Sequence, residues 1–509
     1  MNIQDKNMLY YGDNLEILRN KIPSESVDLC YIDPPFNSKR TYNQIYNNIG
    51  EDKAQAQAFI DTWSWDRLSE QGYQEITLNH GGRCTRQTIE LVKGLKNVLG
   101  ENSLLAYLVS MTLRITEIHR VLKPTGSFYL HCDPTASHYL KLILDTVFVP
   151  CGGDFKNEIV WCYKERELSK NHFNRKHDII FFYTKTDNYK FNFEDIMEPY
   201  SEYTLKNKFK FKDEKGCYRL RYKDGRNDPK EENENTYRQY ADKGVLPRDW
   251  WEIKIINQAA KERMGYPTQK PEALLEKIIR ASSSEGDTVL DAYCGCGTTV
   301  VVAERLKRKW TGIDITYQSV SLILKRLEDS FGKKVLKKIM VDGIPKDMKS
   351  AKALAEKKDD RLRKEFEKWA LLTYTDNRAV VNDKKGADKG IDGITYFLTS
   401  GTDTGKAVFQ VKSGNVNRAT IATLRGDMER EKVEMAVLIT LHPPTKPMRE
   451  EAVSAGVYHH PMMGRDYDRI SIVTVEELIE NRKRFEMPTG IDVVKKAPKK
   501  SREEQSQLS

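Results

Sequence analysis

The 509-residue chain contains no long apolar run, and this absence bounds its class. No segment approaches the about 18 consecutive apolar residues of a transmembrane helix, so we expect no membrane partner. Residues 1–6 lack the basic start and the apolar stretch of a secretory signal. We therefore expect a soluble protein in the cytoplasm.

Two common ligand-binding motifs are also missing. The eight cysteines form no CxxC pair, and Cys294 and Cys296 have no histidine at metal-ligand spacing. This pattern favours reduced thiols in a reducing compartment over a zinc site. The motif G-x-x-x-x-G-K-S/T is absent, so the sequence gives no sign of an ATP-driven motor within this chain.

Length and charge give the first positive indications. A chain of 509 residues is too long for one ordinary core, so we expect two or three domains. The net charge of +9 fits a polyanionic partner such as double-stranded DNA. Charge alone is weak support, because many basic proteins bind no nucleic acid.

Strands and helices alternate along most of the sequence. The apolar strand 27–32 stops at Asp33, and a later strand at 288–291 leads into a glycine-rich turn, a helix and a further strand at 310–314. This alternation is typical of an α/β fold with a mostly parallel sheet.

The segment Asp33-Pro34-Pro35-Phe36 follows an apolar strand, at the place where such sheets bind ligands. The exocyclic amine of a nucleobase is a poor nucleophile, because its lone pair is delocalised into the ring. The carboxylate of Asp33 and the carbonyl of Pro34, which Pro35 helps to fix, can hold the amine and direct its lone pair at a methyl donor. Phe36 offers a stacking face for an extruded base. The alternative is a proline-stiffened loop after a buried strand.

The glycine-rich turn supplies a second half of a site. Residues 290–299 read LDAYCGCGTT, a strand that enters a turn and then a helix. Glycines let the backbone approach a ligand closely, and the helix N-terminus adds N–H donors. About two dozen residues further on, the next strand ends at Asp314, which is placed to accept hydrogen bonds from ribose hydroxyls. Such a turn alone also fits a dinucleotide site, but its pairing with the Asp33 motif favours methyl transfer.

Together these motifs resemble the β-class amino-methyltransferases, which include the modification subunits of restriction systems, over residues 8–330. That family has its DPPF/Y motif first and its cofactor glycine motif last, as found in this chain. Residues 11–15, 157–161 and 266–271 match further family segments. The resemblance implies a Rossmann-like, S-adenosylmethionine-dependent methyltransferase fold with circularly permuted motif order. Because the motif is DPPF rather than SPPY, it also implies adenine N6 rather than cytosine N4 as the target.

The same resemblance assigns the cofactor-binding residues. Those expected to hold S-adenosylmethionine at its methionine part are Asp291, Gly295, Gly297 and Thr298, with Tyr293 also in the binding set. Asp314 would take the ribose and Asp13 the adenine amine, and Lys270 and Pro271 would line the methionine end. The turn reads CGCG where many relatives have CGSG, and cysteine is close enough to serine in size that we expect binding to survive.

Residues 195–262 are polar and lie where that family places its target-recognition region. The arginines that can contact phosphates or guanine edges are Arg219, Arg221, Arg226, Arg238 and Arg248. A solvated insert is the alternative, and it is favoured for any single arginine. We expect Trp250 and Trp251 to belong to the core.

A second α/β region is expected at 362–485, after a linker at 331–361 and before a disordered basic tail at 486–509. Gln410 and Lys412 are two apart and share one face of a strand, and Asp392 lies close enough in sequence for a hairpin to join them. Asp392 and Gln410 can ligate Mg²⁺, and Lys412 can stabilise developing phosphate charge. Glu367 is a further candidate acid.

This set resembles the Mrr-like branch of the PD-(D/E)xK nucleases, in which QxK replaces the usual motif. The resemblance implies Mg²⁺-dependent DNA cleavage beside methylation, as in restriction–modification. An ordinary hairpin with surface charges remains an alternative, as does a solitary methyltransferase of either base whose C-terminal domain only binds DNA. A third alternative is an RNA methyltransferase. Analogy with relatives suggests a homodimer.

Overall fold

A computed structural model gives the fold of the chain. The structure describes residues 6–35, 40–47, 53–61, 63–163, 171, 173–174, 176–225, 229–257, 260, 262–264, 268–356, 360–376, 378–381, 390–399 and 404–487. Among the helices of these segments, none has the length and hydropathy needed to span a bilayer. The predicted tail lies outside the described residues from position 488 onward.

Strands and helices alternate along the folded chain. Up to residue 200 the elements are β1 (Asn7–Tyr11), α1 (Asn14–Lys21), β2 (Val27–Ile32), β3 (Arg40–Asn47), β4 (Lys53–Asp61), α2 (Arg67–Leu78), α3 (Arg86–Leu99), α4 (Ser103–Val121), β5 (Leu122–Cys132), α5 (Ser137–Phe148), β6 (Asp154–Cys162) and β7 (His177–Thr184), with short 3-10 helices at Val149–Cys151 and Phe193–Ile196. Up to residue 345 they are α6 (Glu202–Lys208), β8 (Phe211–Asp213), β9 (Gly216–Tyr222), β10 (Thr236–Tyr240), β11 (Trp250–Glu252), α7 (Glu272–Ser282), β12 (Thr288–Asp291), α8 (Thr298–Arg305), β13 (Lys309–Asp314), α9 (Tyr317–Phe331) and β14 (Ile339–Asp342), with 3-10 helices at Ala241–Lys243 and Val335–Lys338. Beyond them lie α10 (Met348–Ala355), α11 (Asp360–Tyr374), β15 (Val380–Val381), β16 (Gly393–Leu398), β17 (Thr404–Lys412), α12 (Arg418–Arg430), β18 (Met435–Thr440), α13 (Lys446–Ser454), β19 (Val457–His460), β20 (Arg465–Asp468), β21 (Ile470–Thr474) and α14 (Val475–Ile479).

A nine-stranded sheet organises the first 342 residues, in the order β11-β6-β7-β5-β2-β12-β13-β1-β14. Strands from β5 to β14 in this order run parallel, whereas β7 is antiparallel to both of its neighbours. The central strand β2 is buried along its whole length, which is typical of a parallel strand covered on both faces. The predicted α/β architecture with a mostly parallel sheet is confirmed.

Helices cover the two faces of this sheet. Cys30 and Ile32 of β2 face a core that includes α1, α3, α4 and α5. Leu29 and Tyr31 point the opposite way, into a core formed with α7, α8 and α9. The alternation follows from the two-residue side-chain period of a strand. It leaves the carboxyl ends of the parallel strands as the edge where ligand-binding loops emerge.

The region 195–262 carries a small antiparallel sheet, β10-β9-β8, before β11 returns to the edge of the large sheet. In β11, Trp251 is 8% exposed and packs against the α7 side, as expected from the sequence. The expectation for Trp250 was wrong, because its side chain is 49% exposed. Neighbouring strand residues point to opposite faces, and this face of the edge strand is not covered.

The C-terminal region forms a five-stranded sheet in the order β15-β16-β17-β18-β21. α11 and α14 contribute to the core on one face, and α12 and α13 to the core on the other. This arrangement agrees with the α/β, restriction-endonuclease-like architecture expected from the sequence.

The segment 331–361 is not the linker expected from its polar composition. β14 pairs in parallel with β1 and completes the large sheet. α10 then buries Ala351 and Ala355 in the C-terminal core. Few apolar side chains do this packing, so the segment lacks the hydrophobic periodicity that would have marked it as folded.

Candidate active site

Asp33 leaves the sheet one strand away from the glycine-rich turn. β2 pairs in parallel with β12, with Leu29 opposite Val289 and Cys30 opposite Leu290. The carboxyl ends of the two strands therefore bring Asp33 and Asp291 to neighbouring positions, although the two motifs are far apart in sequence. Phe36 lies outside the described residues, so its stacking role stays a prediction.

Lys270 holds one oxygen of Asp33. Its Nζ donates to Asp33 Oδ2 at 2.5 Å, and the two side chains are only 9% and 16% exposed. The other oxygen, Oδ1, is buried and has no hydrogen-bond partner within the described part of the chain. The sequence placed Lys270 at the methionine end of the cofactor, and the structure adds this charge-assisted bond, which orients the carboxylate. Pro271 caps α7 next to it.

A buried polar network lies near Asp33, across β2, β5 and β7. The Tyr31 hydroxyl lies 2.9 Å from His131 Nδ1, and His131 Nε2 lies 3.1 Å from Asp178 Oδ2. Tyr163 donates its hydroxyl hydrogen to Asp178 Oδ1 at 3.3 Å. Burial acts against the charge of Asp178, but its hydrogen bond to His131 and the charge of Lys270 hold its pKa below the ordinary value. Sequence reasoning missed His131 and Asp178. The sequence feature that could have indicated them is a polar residue near one end of an apolar strand: His131 near the end of β5 and Asp178 at the start of β7.

The turn after β12 is held by hydrogen bonds to two carboxylates. The N–H of Tyr293 donates to Asp291 Oδ1 and the N–H of Gly295 to Asp314 Oδ2, each at 2.9 Å. The N–H of Gly297 closes the turn on the carbonyl of Cys294 at 2.7 Å. The predicted set of Asp291, Gly295 and Asp314 is thus assembled in one place.

Gly297 tests how closely this turn must pack. Its φ is +75°, and a Cβ built there would lie 2.7 Å from Ile323 Cγ1. We expect Gly297→Ala to lower the free energy of unfolding by about 1–3 kcal/mol and to weaken cofactor binding, measured by chemical denaturation and calorimetry. Gly286→Ala is the control, because Gly286 has a similar φ of +85° with nothing within 4 Å. Equal effects of the two substitutions would contradict a packing role.

Asp291 and Asp314 are unusual acids. The pKa of Asp291 is raised to about 7, mainly by burial and in part by the charges of Asp33 and Asp314. Hydrogen bonds from Thr299 and Tyr293 act in the opposite direction and lower the pKa. Burial also raises the pKa of Asp314 to about 6, again against hydrogen bonds, which come from Thr316 and Gly295. Several buried carboxylates with few cations make a site that favours a cationic ligand.

Asp13 is tied both to its own helix and to the cofactor turn. Its Oδ1 caps α1 by accepting from the N–H groups of Leu15 and Glu16. Its Oδ2 accepts from Arg114 at 3.0 Å, and Arg114 also donates to Asn14, whose amide reaches the carbonyl of Ala292. Oδ1 already accepts two hydrogen bonds, whereas Oδ2 has a second lone pair beside its bond from Arg114. The proposed contact with an adenine amine stays a prediction. Arg114 was missed, although it interrupts an apolar helix.

Thr298 and the second cysteine of the turn are supported from behind. The buried Arg326 donates to Thr298 Oγ1 at 3.1 Å and to the carbonyl of Cys296 at 3.2 Å. Its other terminal nitrogen donates to Glu272 Oε1 at 2.7 Å. Burial raises the pKa of the Cys296 thiol, so the group stays neutral. The Thr298 hydroxyl therefore has a structural partner besides any cofactor contact.

Several of the candidate recognition arginines make contacts within the insert or beside it. Arg219 stacks over Tyr200 and Phe209 and donates to Gln239, while Arg238 pairs with Glu232 and Asp213. These two support the fold of the insert. Arg248 lies 5.3 Å from the ring centre of the exposed Trp250. Arg226 lies outside the described residues, and contacts of the insert with DNA stay predictions.

The C-terminal candidates gather around the end of β17. Asp392 Oδ2 accepts the N–H of Val411, and Gln410 Nε2 donates to the carbonyl of Gly390, each at 2.7 Å. Gln410 is buried and Lys412 exposed. Burial raises the pKa of Glu367 to about 7, and the charge of Asp392 adds to the rise while Lys412 opposes it, so these three charges lie near one another.

The expected Mg²⁺ site does not fit this geometry. Asp392 has one oxygen bonded to the backbone, and Gln410 contributes a single buried oxygen, Oε1. Within the described ranges no group of three or more His, Cys, Asp or Glu side chains is arranged to hold a metal ion. In the part of the chain that the structure describes, the residues of the nuclease motif lie together, but no cluster of three acidic, histidine or cysteine side chains accompanies them.

Known proteins match both regions. Residues 27–325, more than half of the chain, match the family model described as DNA methylase, and residues 362–480 match that of a NACHT-associated inactive restriction endonuclease. The type II methyltransferase M.HpaI of Haemophilus parainfluenzae is 30% identical over 218 residues, which cover 43% of this chain and 58% of that protein. The DNA adenine methyltransferase YhdJ of Escherichia coli (strain K12) is 27% identical over 322 residues, 63% of this chain and 82% of that protein.

Among solved structures, the PvuII DNA methyltransferase (cytosine-N4-specific) aligns with 65% of this chain and 91% of its own, at 16% identity and a TM-score of 0.38. The family match over 27–325 contains the Asp33 motif, the turn after β12 and Asp314 in one sheet edge. The chain belongs to the N6/N4 DNA methylase family.

Proposed function

We propose that this chain methylates adenine N6 in double-stranded DNA with S-adenosylmethionine as the methyl donor. One observation carries the proposal: Lys270 anchors Asp33 Oδ2 and leaves the buried Oδ1 without a partner among the described residues, beside the turn after β12. A carboxylate with one oxygen held and the other unpaired suits an amine substrate that brings its own N–H donor.

The residues present fit S-adenosylmethionine. The donor carries positive charge on its sulfonium and amino groups and two ribose hydroxyls. Asp291 and Asp314 supply carboxylate acceptors, and burial, which disfavours the charged form, raises the pKa of both. Gly295, with a φ of +51°, has no side chain to stand between its backbone and a ligand. Asp314 would accept from the ribose, and Asp291 would face the positive charge.

The chemistry assigned to this chain's residues is then simple. When bound, S-adenosylmethionine would supply an electrophilic methyl group and keep the electrons of the broken S–C bond. Asp33 Oδ1 and the carbonyl of Pro34 accept the two N6–H hydrogens, so that the nitrogen lone pair points at the methyl carbon. As the N–C bond forms, Asp33 would accept one proton from N6. Lys270 keeps the carboxylate oriented throughout.

The base and the nucleic acid are decided by one experiment. Purified protein is incubated with labelled S-adenosylmethionine and either duplex DNA or structured RNA, and the modified nucleosides are separated by mass spectrometry. We expect N6-methyladenine from DNA, which agrees with the DPPF motif and with the name of the relative YhdJ. N4-methylcytosine would refute the base assignment, and a strict preference for RNA would refute the substrate.

For the C-terminal domain we propose DNA binding without cleavage, in place of the cleavage expected from the sequence. The missing divalent-cation donors around Asp392, within the described residues, support this, as does the match to a family of inactive restriction endonucleases. Lys412 is exposed beside this site and offers a cation for a phosphate.

The absence of cleavage is testable with unmodified duplex DNA and Mg²⁺. We expect no strand breaks from the wild type or from Asp392→Ala, and full methylation by both, measured by gel electrophoresis and label incorporation. Lys412→Ala should weaken DNA binding of the full chain by about threefold, since one phosphate contact is lost. Mg²⁺-dependent breaks that disappear in Asp392→Ala would instead establish a nuclease.

A further inference from the structure

The C-terminal domain packs its helix α11 against the cofactor half of the large sheet. Tyr317, the first residue of α9, contacts the C-terminal core, and its hydroxyl lies 3.1 Å from Thr373 Oγ1 of α11. Tyr11, the last residue of β1, meets the Tyr317 ring edge to face at 6.3 Å. The contact is therefore built at the ends of two elements that flank the predicted cofactor site.

Glu365 of α11 is the polar centre of this contact. Its side chain is 8% exposed, and its Oε2 accepts from the Tyr11 hydroxyl and from the N–H of Tyr317, each at 3.2 Å. Its Oε1 lies 3.2 Å from Lys368 Nζ. A buried carboxylate is costly unless such partners compensate it. The first N–H groups of a helix have no partner within the helix, so the start of α9 suits this anion.

The two residues that donate to Glu365 Oε2 lie next to Asp314 or to its hydrogen-bonded neighbour. Tyr317 is three residues beyond Asp314, and between them Thr316 donates its N–H to Asp314 Oδ1 at 2.9 Å. Tyr11 lies opposite Asp314 in the β1–β13 register, and the next residue, Gly12, donates its N–H to the carbonyl of Asp314. Glu365 thus bonds to both backbone segments that set the position of the Asp314 carboxylate.

We propose that Glu365 is a positioning residue for the cofactor site, contributed by the C-terminal domain, which holds the Asp314–Tyr317 turn in the geometry that binds the ribose of S-adenosylmethionine. The inference rests on the proposed function and extends it: the C-terminal domain is part of the support of the methyl-donor site. The ligand it acts on is S-adenosylmethionine, and its effect passes through Asp314.

The test measures the dissociation constant of S-adenosylmethionine by calorimetry in the full chain. Glu365→Ala should weaken binding about tenfold, the effect of losing hydrogen bonds to a charged group, while kcat at saturating cofactor stays within about twofold. Glu365→Gln, which keeps one acceptor oxygen, should restore most of the affinity. Thr373→Val is the matched control, because it loosens the same interface without touching Glu365, and it should leave affinity within about twofold.

A double-mutant cycle with Asp314→Asn separates action through Asp314 from general loosening. We expect non-additive losses of affinity for Glu365→Ala and Asp314→Asn, and additive losses would overturn the inference. Equal effects of Glu365→Ala and Thr373→Val would overturn it as well. If Glu365→Ala does not fold, Tyr11→Phe removes one bond to the same carboxylate, and unchanged affinity in that variant overturns the proposal. A wild-type chain that binds no S-adenosylmethionine would refute the proposed function itself.

Discussion

Replacing Asp33 with alanine is expected to abolish methyl transfer to DNA while S-adenosylmethionine still binds. The substitution removes the acceptor that is proposed to orient the adenine amine and to take its proton, which corresponds to a loss of about 10²- to 10⁴-fold in kcat. Cofactor affinity should largely hold, because Asp33 is not proposed to contact the cofactor itself. It acts on the cofactor side through its hydrogen bond with Lys270 and as a nearby negative charge that raises the pKa of Asp291.

The measurement is single-turnover methyl transfer together with calorimetric cofactor binding. Asp33→Asn is the matched control: it keeps the shape of the side chain and a partner for Lys270, but it cannot accept a proton. We expect it to be nearly as inactive as Asp33→Ala and better folded. Loss of cofactor binding in Asp33→Asn, or retention of more than about a tenth of the wild-type rate, would contradict the role assigned to Asp33.

Asp291→Asn should act in opposite directions on binding and stability. The neutral amide cannot pair with a buried positive charge, so we expect S-adenosylmethionine to bind at least about 30-fold more weakly. The cofactor-free variant should be more stable than the cofactor-free wild type. The Asp291 pKa of about 7 means that ionising this buried acid is unfavourable, and the neutral amide avoids that cost. The pKa difference from an exposed aspartate corresponds to a cost of the order of 4 kcal/mol.

The pH dependence gives the sign of this effect. The folded pKa of Asp291 lies above the unfolded value, so the wild type loses stability as pH rises from about 4 to about 7, relative to Asp291→Asn. Thermal unfolding should therefore show the largest advantage of the variant above about pH 7 and none below about pH 4. Wild-type affinity for S-adenosylmethionine should fall as the pH is lowered from about 8 to about 6, because Asp291 takes up a proton over this range. If Asp291→Asn were less stable than the wild type at about pH 8, the prediction that ionised Asp291 destabilises the fold would be wrong.

The sequence was sufficient for the parts of the site that follow local rules. An apolar strand before Asp33 and a glycine-rich turn after β12 predict loops at the carboxyl edge of a parallel sheet, and the structure has both there. The relation of Asp33 to Asp291 followed from the permuted motif order, and the pairing of β2 with β12 agrees with it.

The remaining features depend on contacts between elements that are distant in sequence. Lys270 reaches Asp33 from an irregular segment before α7, which has no periodic pattern to read. His131 and Asp178 meet only because β5 and β7 are neighbours in the sheet. Glu365 belongs to a different domain from Tyr11. Its neighbours in sequence are mostly charged, which predicts an exposed side chain, although the carboxylate is buried. The residue type also led to a wrong prediction for Trp250, which was expected in the core. Its exposure follows from the position of β11 at the edge of the sheet.

The position of β1 has a consequence for how the protein is made. β1 precedes every other strand of the large sheet, yet its hydrogen-bonded neighbours are β13 and β14, which lie far along the chain. The ribosome must therefore translate as far as Asp342 before the large sheet can close, whereas β2, β5, β6 and β7 can pair much earlier. Such long-range pairing slows folding and leaves partly assembled intermediates exposed. A nascent chain thus cannot complete the sheet that carries Asp33, Asp291 and Asp314 until synthesis has passed Asp342.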